Sequence, residues 1–319
     1  SGDDRLTDET ELENRLRNYL RDHKRELVTT GIVKTTIPDL AVAATGAVPG
    51  EPLKQWSMDE HDGDLRIATT VGERGVLGAG VESENDVYVL DGDLDRRGSV
   101  QGMGEGQRIY GVRFMGDRGY VITFRRVDPL HVLDLSDPDD PRETGELKLP
   151  GFSTYLHPLG EGQLLGVGEE DGDVKAVVFD VSDPEDPAVE DDYVLSDSWS
   201  AVSESHHAFL IDRRHEVFFL PGNRGGHVFG YGDGGLELVR SIDVAAPRRA
   251  VYVNDYLYVV GREEIAVLDE TTWDRVRTVA MGPAPDRGPY PGPRPIEPTV
   301  DPGIGTTGPE PGGGAGPVR

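Results

Sequence analysis

From Thr29 to Ala280 apolar residues recur at every second position in short runs, and Gly, Asp, Asn and Pro separate the runs. The rhythm is cleanest near the end. Ala250 to Val253, Tyr256 to Val260, Ile265 to Leu268 and Val276 to Val279 read as four strands joined at Asn254-Asp255, Arg262-Glu263-Glu264 and Thr271-Thr272. Four similar units precede it. The first runs from Gln55 to Val100, with strands Asp64 to Thr70 and Asp86 to Leu90 and a glycine-rich loop from Gly72 to Gly80. The second has Arg108 to Met115, a turn at Gly116-Asp117-Arg118-Gly119, Tyr120 to Phe124, Pro129 to Leu135 and Gly145 to Leu149. The third covers Ser153 to Leu195, with Gln163 to Gly168 and Val174 to Val181 as central strands, and the fourth covers Ser203 to Val244. Ahead of all five, Gly31 to Thr36 and Ala41 to Ala47 flank Ile37-Pro38-Asp39 as a strand pair, the outer part of a blade whose first strands are missing.

The units share a signature. Val132-Leu133-Asp134-Leu135-Ser136-Asp137-Pro138-Asp139-Asp140-Pro141 and Val178-Phe179-Asp180-Val181-Ser182-Asp183-Pro184-Glu185-Asp186-Pro187 place matching aspartates at 134 and 180, 46 positions apart. Weaker copies begin at Val87, Val228 and Ile265. A four-stranded unit repeated about every 40 to 50 residues predicts an all-β propeller, here five full blades and part of a sixth.

Outside the repeats the pattern changes. Leu12, Leu16, Tyr19, Leu20 and Leu27 share one stripe, which predicts an amphipathic helix over residues 8–27 capped by Thr7 or Asp8. Beyond Met281 proline and glycine dominate, so the expected organisation is a helical lead-in at 1–28, a propeller at 29–281 and a disordered tail at 282–319.

Charge narrows the partners. With 59 acidic against 32 basic residues the 319-residue chain carries a net charge of −27, which argues against nucleic acid and anionic lipid as ligands. Lysine occurs only at positions 24, 34, 54, 148 and 175, and there is no cysteine. This balance fits a halophilic protein, an ordinary acidic extracellular protein being the alternative. The missing cysteine excludes disulfides, thiolate metal sites and cysteine nucleophiles. No apolar run approaches the roughly 20 residues of a membrane span, so insertion of this chain is not expected. An export signal is expected upstream of Ser1.

Candidate chemistry is sparse. The aspartates of the repeated signature offer clustered oxygens to calcium, yet Asp before Pro is ordinary turn chemistry, which is the reading preferred. Asp91-Gly92-Asp93-Leu94-Asp95 opens like a calcium loop but has Arg96 and Gly102 where glycine and glutamate are required. His206 and His207, as neighbours on a strand, would face opposite ways, and His131, His157, His215 and His227 are scattered, so no metal site is assigned. No Gly-x-Ser-x-Gly elbow is present, and the glycines at 222, 225, 226, 232, 234 and 235 read as loop punctuation. Arg108, Arg113, Arg125, Arg126, Asp128, Tyr155 and His157, with His206, lie near unit junctions and are the candidate binding residues; the alternative is that the arginines pair with carboxylates between blades.

Arg108 to Phe124 with Val127-Asp128-Pro129-Leu130 and Gly151-Phe152-Ser153-Thr154-Tyr155-Leu156-His157-Pro158 resembles a secreted prokaryotic β-propeller domain family distantly related to WD-40 repeats. Trp56-Ser57-Met58-Asp59-Glu60, Arg66 to Thr70 and Asp255 to Val259 match it too, so the likeness runs from Thr10 to Met281. The resemblance implies the carboxyl-terminal part of a longer exported protein with further blades, of haloarchaeal type. The family pattern has Asp where Ser205 stands and Lys where His207 stands, which removes support for an ionic role of that loop. It implies no reaction. The expected function is a non-catalytic, extracellular or cell-surface scaffold that binds a protein, peptide or surface ligand without a cofactor; the alternative is a hydrolase or lyase with a metal-assisted site in the central channel.

Overall fold

The computed structural model describes residues 2–282 except 38, 73–81, 125–127, 161 and 233–234. The expected glycine-rich loop beyond Gly72 and the expected tail beyond Gly282 therefore lie outside the described residues.

Two helices lead in, α1 (Gly2–Asp22) and α2 (Lys24–Leu27), followed by a two-stranded half-blade of β1 (Thr29–Thr35) and β2 (Val42–Pro49). Blade 1 is β3 (Met58–His61), β4 (Asp64–Val71), β5 (Glu84–Leu90) and β6 (Arg96–Met103). Blade 2 is β7 (Arg108–Met115), β8 (Arg118–Phe124), β9 (Asp128–Asp134) and β10 (Arg142–Leu149). Blade 3 is β11 (Phe152–Gly160), β12 (Gln163–Glu170), β13 (Asp173–Asp180) and β14 (Ala188–Leu195). Blade 4 is β15 (Leu210–Asp212), β16 (Val217–Gly222), β17 (Gly225–Gly230) and β18 (Glu237–Ile242), and blade 5 is β19 (Arg249–Val253), β20 (Tyr256–Val260), β21 (Glu264–Asp269) and β22 (Arg275–Ala280). Each blade is an antiparallel meander in chain order.

The two middle strands of blades 1 to 4 are buried on both faces, as in the unbroken buried run of β16 and β17, whereas β20 of blade 5 is buried on one face only. A strand buried on both faces needs a neighbour on each side. Five apolar layers supply it. They lie between half-blade and blade 1 (Val48, Ile67, Tyr88), blades 1 and 2 (Val87, Val121, Leu133), blades 2 and 3 (Ile122, Leu130, Phe179), blades 3 and 4 (Val167, Phe218, Phe229) and blades 4 and 5 (Phe219, Val259, Leu268). The far face of blade 5 has no such layer among the described residues: Val251, Val253, Val276 and Val279 are exposed.

Each fourth strand carries a β-bulge, opposite the steps Val89/Leu90, Leu133/Val132, Val178/Phe179, Val228/Phe229 and Val267/Leu268 of its partner. A bulge bends and twists the outer strand, which lets it follow the next blade. The half-blade has its irregularity at the corresponding step, between Lys34 and Thr35 opposite β2, so β1 and β2 match the third and fourth strands of a blade. Next to the bulge the repeated signature finds its use. A Cβ on Gly98 would lie 2.6 Å from the Pro138 carbonyl oxygen of blade 2, and one on Gly145 would lie 2.8 Å from Cδ of Pro187 in blade 3. The Ser-Asp-Pro turn of one blade thus seats on a glycine of the blade before it. Arg97 adds ion pairs to Asp64 at 2.8 Å and across the joint to Asp139 at 2.6 Å. At the joint of blades 3 and 4 Asp191 accepts the Leu236 N–H at 2.6 Å.

The helix differs from its expected bounds. It starts at Gly2, upstream of Thr7 and Asp8, so neither caps it, and it breaks at His23. Only Leu20 of the stripe is buried, with Leu16 and Leu27 half-buried and Leu12 and Tyr19 exposed, because docking involves the carboxyl-terminal end alone. There Arg25 donates to both oxygens of buried Asp86 at 2.8 and 2.9 Å and to Glu84 at 2.8 Å, and Lys24 pairs with Glu84. Tyr88 and the Gly102 amide complete the shell of Asp86. No helix among the described residues is long and apolar enough to cross a membrane.

If the turn-on-glycine joint holds the blades together, Gly145→Ala is expected to cost about 1–3 kcal/mol through overpacking. Gly31→Ala, where a Cβ meets nothing within 4 Å, is the control and should be near neutral. Urea denaturation checks both; equal midpoints for the two variants would remove the joint from the account.

Candidate ligand-binding site on the inner strands

The first strands of neighbouring blades lie side by side, β7 against β11 and β15 against β19, which brings residues distant in sequence onto one surface. Lys54, Gln55 and Trp56 precede β3 on a single 3₁₀ turn, Arg113 lies on β7, Tyr155 and His157 on β11, His206 and Phe209 just before β15, and Arg249 opens β19. The Arg113 guanidinium lies 4.8 Å over the Trp56 ring, and the Trp56 ring meets His206 edge-on at 5.1 Å. Gln55 Nε2 is 3.2 Å from His206 Nδ1, linking blade 1 to the entrance of blade 4. Lys54 donates to the Thr154 carbonyl of blade 3 at 2.8 Å. Phe209 packs on Tyr155 at 5.1 Å and on His157 at 4.8 Å.

This surface opposes the sign of the whole protein. Burial pushes Lys54 down. Burial, then Arg113 and Arg213, pushes His157 down to about 4, and burial, then His207, Lys54 and Arg249, lowers His206. Every charge acting on the two imidazoles is cationic. Trp56 Nε1 and Arg113 Nε are buried without an acceptor, and both residues line a cavity with Gln55, Met58, Asp59 and Phe114. A buried donor without an acceptor costs about 1–3 kcal/mol, and a ligand oxygen placed there removes that cost. Tyr155 Oη is 3.0 Å from His157 Nδ1, yet burial pushes the phenol up to about 12 while the imidazole falls. Both are neutral near pH 7, so this pair holds no proton ready for transfer.

Of the residues expected from sequence, Arg113, Tyr155, His157 and His206 meet on this surface. Arg108 does not: it lines a separate cavity with Val28, Glu51, Leu53 and Thr70. Arg125 and Arg126 lie outside the described residues, and Asp128 is described only as the first residue of β9. Sequence reasoning missed Lys54, Trp56 and Phe209, whose one signal was an aromatic or lysine at the entrance to a first strand. His206 and His207 are on a 3₁₀ turn, not a strand, and their ring centroids lie 3.8 Å apart with the planes tilted by 41°. This corrects the opposite-faces argument. Gly222, Gly225 and Gly226 are buried strand residues, not loop punctuation, and Gly226 makes room for the Phe219 ring.

The repeated aspartates face their own backbone. Asp134 accepts from the amide and hydroxyl of Ser136, Asp180 does the same with Ser182, and Asp269 with Thr271. Asp91 accepts the amides of Asp93 and Asp95, both at 2.9 Å. These are Asx turns. His131 bonds Thr123 and Glu143, and His227 lies between Asp197 and Ser241. Among the described residues one group has metal-ligand spacing, Asp212, His215 and Glu270, from blades 4 and 5.

The depressed His157 gives a pH signature. Its folded pKa of about 4 lies below the 6.5 of the free side chain, so between these values the unfolded chain binds more protons. The stability contributed is complete above about pH 6.5 and is lost as pH falls toward 4. Urea midpoints followed from pH 7.5 to 4.5 are expected to fall less steeply in His157→Phe than in the parent; parallel profiles would contradict a buried neutral imidazole.

The family comparison agrees with this architecture. A family model described as a beta propeller domain matches residues 17–273. An uncharacterized protein of Archaeoglobus fulgidus is 46% identical over 276 residues, covering 86% of this chain and 43% of the relative. An uncharacterized protein of Methanocaldococcus jannaschii is 40% identical over 270 residues, covering 84% and 43%. The chain thus spans less than half the length of these curated relatives. Among solved structures, apo AztD from Citrobacter koseri aligns with TM-score 0.47 at 16% identity, over 71% of this chain and 59% of that one. With a matched segment that contains the first four blades and most of the fifth, the chain belongs to the β-propeller domain family.

Proposed function

We propose that this chain is the recognition module of an exported, acidic, halophilic-type protein, and that its inner-strand surface binds an anionic, acceptor-rich segment of a protein or peptide without making or breaking a bond. The observation that carries the reading is the pair of buried, acceptor-less donors, Trp56 Nε1 and Arg113 Nε, at the wall of one cavity. Lys54, Arg113 and Arg249 add positive charge where His157 and His206 are neutral. The aromatic rings of Trp56, Tyr155 and Phe209 offer flat apolar area beside the donors, the combination that peptide grooves use. Assignment to recognition over hydrolysis is supported by the Tyr155–His157 pair, in which the phenol keeps its proton and the imidazole stays neutral and weakly basic through neutral pH. Export and kinship to WD-40 repeats rest on the resemblance of Arg108 to Pro158; the halophilic setting rests on the −27 charge and scarce lysine.

Trp56 reports on the test. A hexaglutamate peptide, titrated in high salt that screens the net charge while leaving the desolvated site intact, is expected to change tryptophan fluorescence saturably, and hexalysine is not. Arg113→Gln should weaken hexaglutamate binding at least tenfold with the fold retained by circular dichroism. Binding of both peptides alike, or no loss in Arg113→Gln, overturns the reading.

A further inference from the structure

At the joint of blades 4 and 5, three side chains meet that the repeat does not require. Asp212 is the last residue of β15, His215 lies in the turn to β16, and Glu270 follows β21. His215 Nδ1 is 2.7 Å from Asp212 Oδ2 and 3.9 Å from Glu270 Oε2, and one donor atom from each residue lies within 4.8 Å of the others. Glu270 is 2% exposed, and neither of its carboxylate oxygens accepts a hydrogen bond. The nearest guanidinium is spoken for: Arg214 pairs with Asp255. The remaining contacts of the group are local. Asp212 Oδ1 accepts the Arg214 N–H at 2.8 Å, and the Glu270 N–H donates to the Asp255 carbonyl at 3.0 Å. Tyr252, nearby, gives its hydroxyl to the Ile211 carbonyl at 2.7 Å.

Two buried carboxylates that share a single imidazole form an unfavourable arrangement. The two carboxylates repel each other, and the buried Glu270 oxygens lack a hydrogen-bond donor. A bound cation removes both penalties, since it pairs the charges and gives the Glu270 oxygens a partner.

We infer that Asp212, His215 and Glu270 form a binding site for one divalent transition-metal ion of the zinc class. The donor set selects the class: a single imidazole with two carboxylates favours borderline metals over calcium and magnesium, which take all-oxygen cages. Three protein ligands leave at least one coordination position for water. Phe218, Phe219, Leu257 and Trp273 wall the adjoining cavity and shield the group from solvent on that side. The ion clamps the first turn of blade 4 to the last turn of blade 5. That is a joint where no Ser-Asp-Pro turn is available, the turn after Asp269 reading Glu270-Thr271-Thr272-Trp273 instead.

The full chain, stripped with EDTA and dialysed, is titrated with Zn²⁺ by calorimetry, with Ca²⁺ and Mg²⁺ in parallel. One Zn²⁺ per chain is expected, bound at least tenfold more tightly than Ca²⁺, with a rise in melting temperature. Glu270→Gln and His215→Gln are expected to lose that equivalent and the thermal shift while keeping the parent circular dichroism. Co²⁺ should give visible d–d bands in the parent and not in the variants. No saturable Zn²⁺ binding, or equal binding by parent and Glu270→Gln, overturns the site. A Glu270→Gln variant more stable than a parent that binds no Zn²⁺ overturns it in favour of a protonated Glu270.

Discussion

A blade whose middle strands are apolar on both faces cannot stand alone, and the joints between the blades of this chain follow from the need to cover those faces. The apolar layers lie between sheets, one at each joint, from Val48 and Ile67 at the half-blade to Val259 and Leu268 at blade 5. Burial of this kind is non-directional, so it demands contact without fixing how the sheets are rotated. The rotation is set at the rim. Bulges in each fourth strand and the seats of Pro138 and Pro187 on Gly98 and Gly145 hold one blade against the next.

Stacking blades in this way has a chemical by-product. First strands from five blades are drawn together, so Trp56, Arg113, Tyr155, His157, His206 and Arg249 share a surface though nearly 200 positions separate the outermost of them. In a protein of net charge −27 this surface gathers cations and neutral imidazoles, with donors left unpaired. Recognition of an anionic ligand is what such a contrast favours, because the overall field keeps other acidic surfaces away while the local donors reward one that fits.

The sequence was legible where the period was local. The central strands of blades 2, 3 and 5 begin and end within a few residues of the pattern that announces them, because a strand covered on both faces must be apolar along its length and one covered on a single face, as in blade 5, must alternate. Asp134 and Asp180 were legible as turn formers because an Asx turn is completed within two residues. Lengths and edges were less so. The stripe of Leu12 to Leu27 implied a helix packed along its whole face, whereas only the segment near Leu20 docks and Arg25 anchors it to Asp86. The first strand of blade 4 shrank to Leu210–Asp212 because Ala201–Ser203 and His206–Ala208 coil into 3₁₀ turns, and the strand argument about the paired histidines failed with it.

By itself the sequence determined the element type, the blade count, the order of strands within each blade and the surface charge, since these depend on period-two alternation, on turn chemistry spanning a few residues and on composition. Only the tertiary structure decided that Gly98 and Gly145 are seats for the next blade's turn, that each fourth strand bulges, that Arg113 lies over Trp56, and that Asp212, His215 and Glu270 converge. Those facts depend on how one sheet is rotated against another, and the spacing of these residues along the chain carries no record of that rotation.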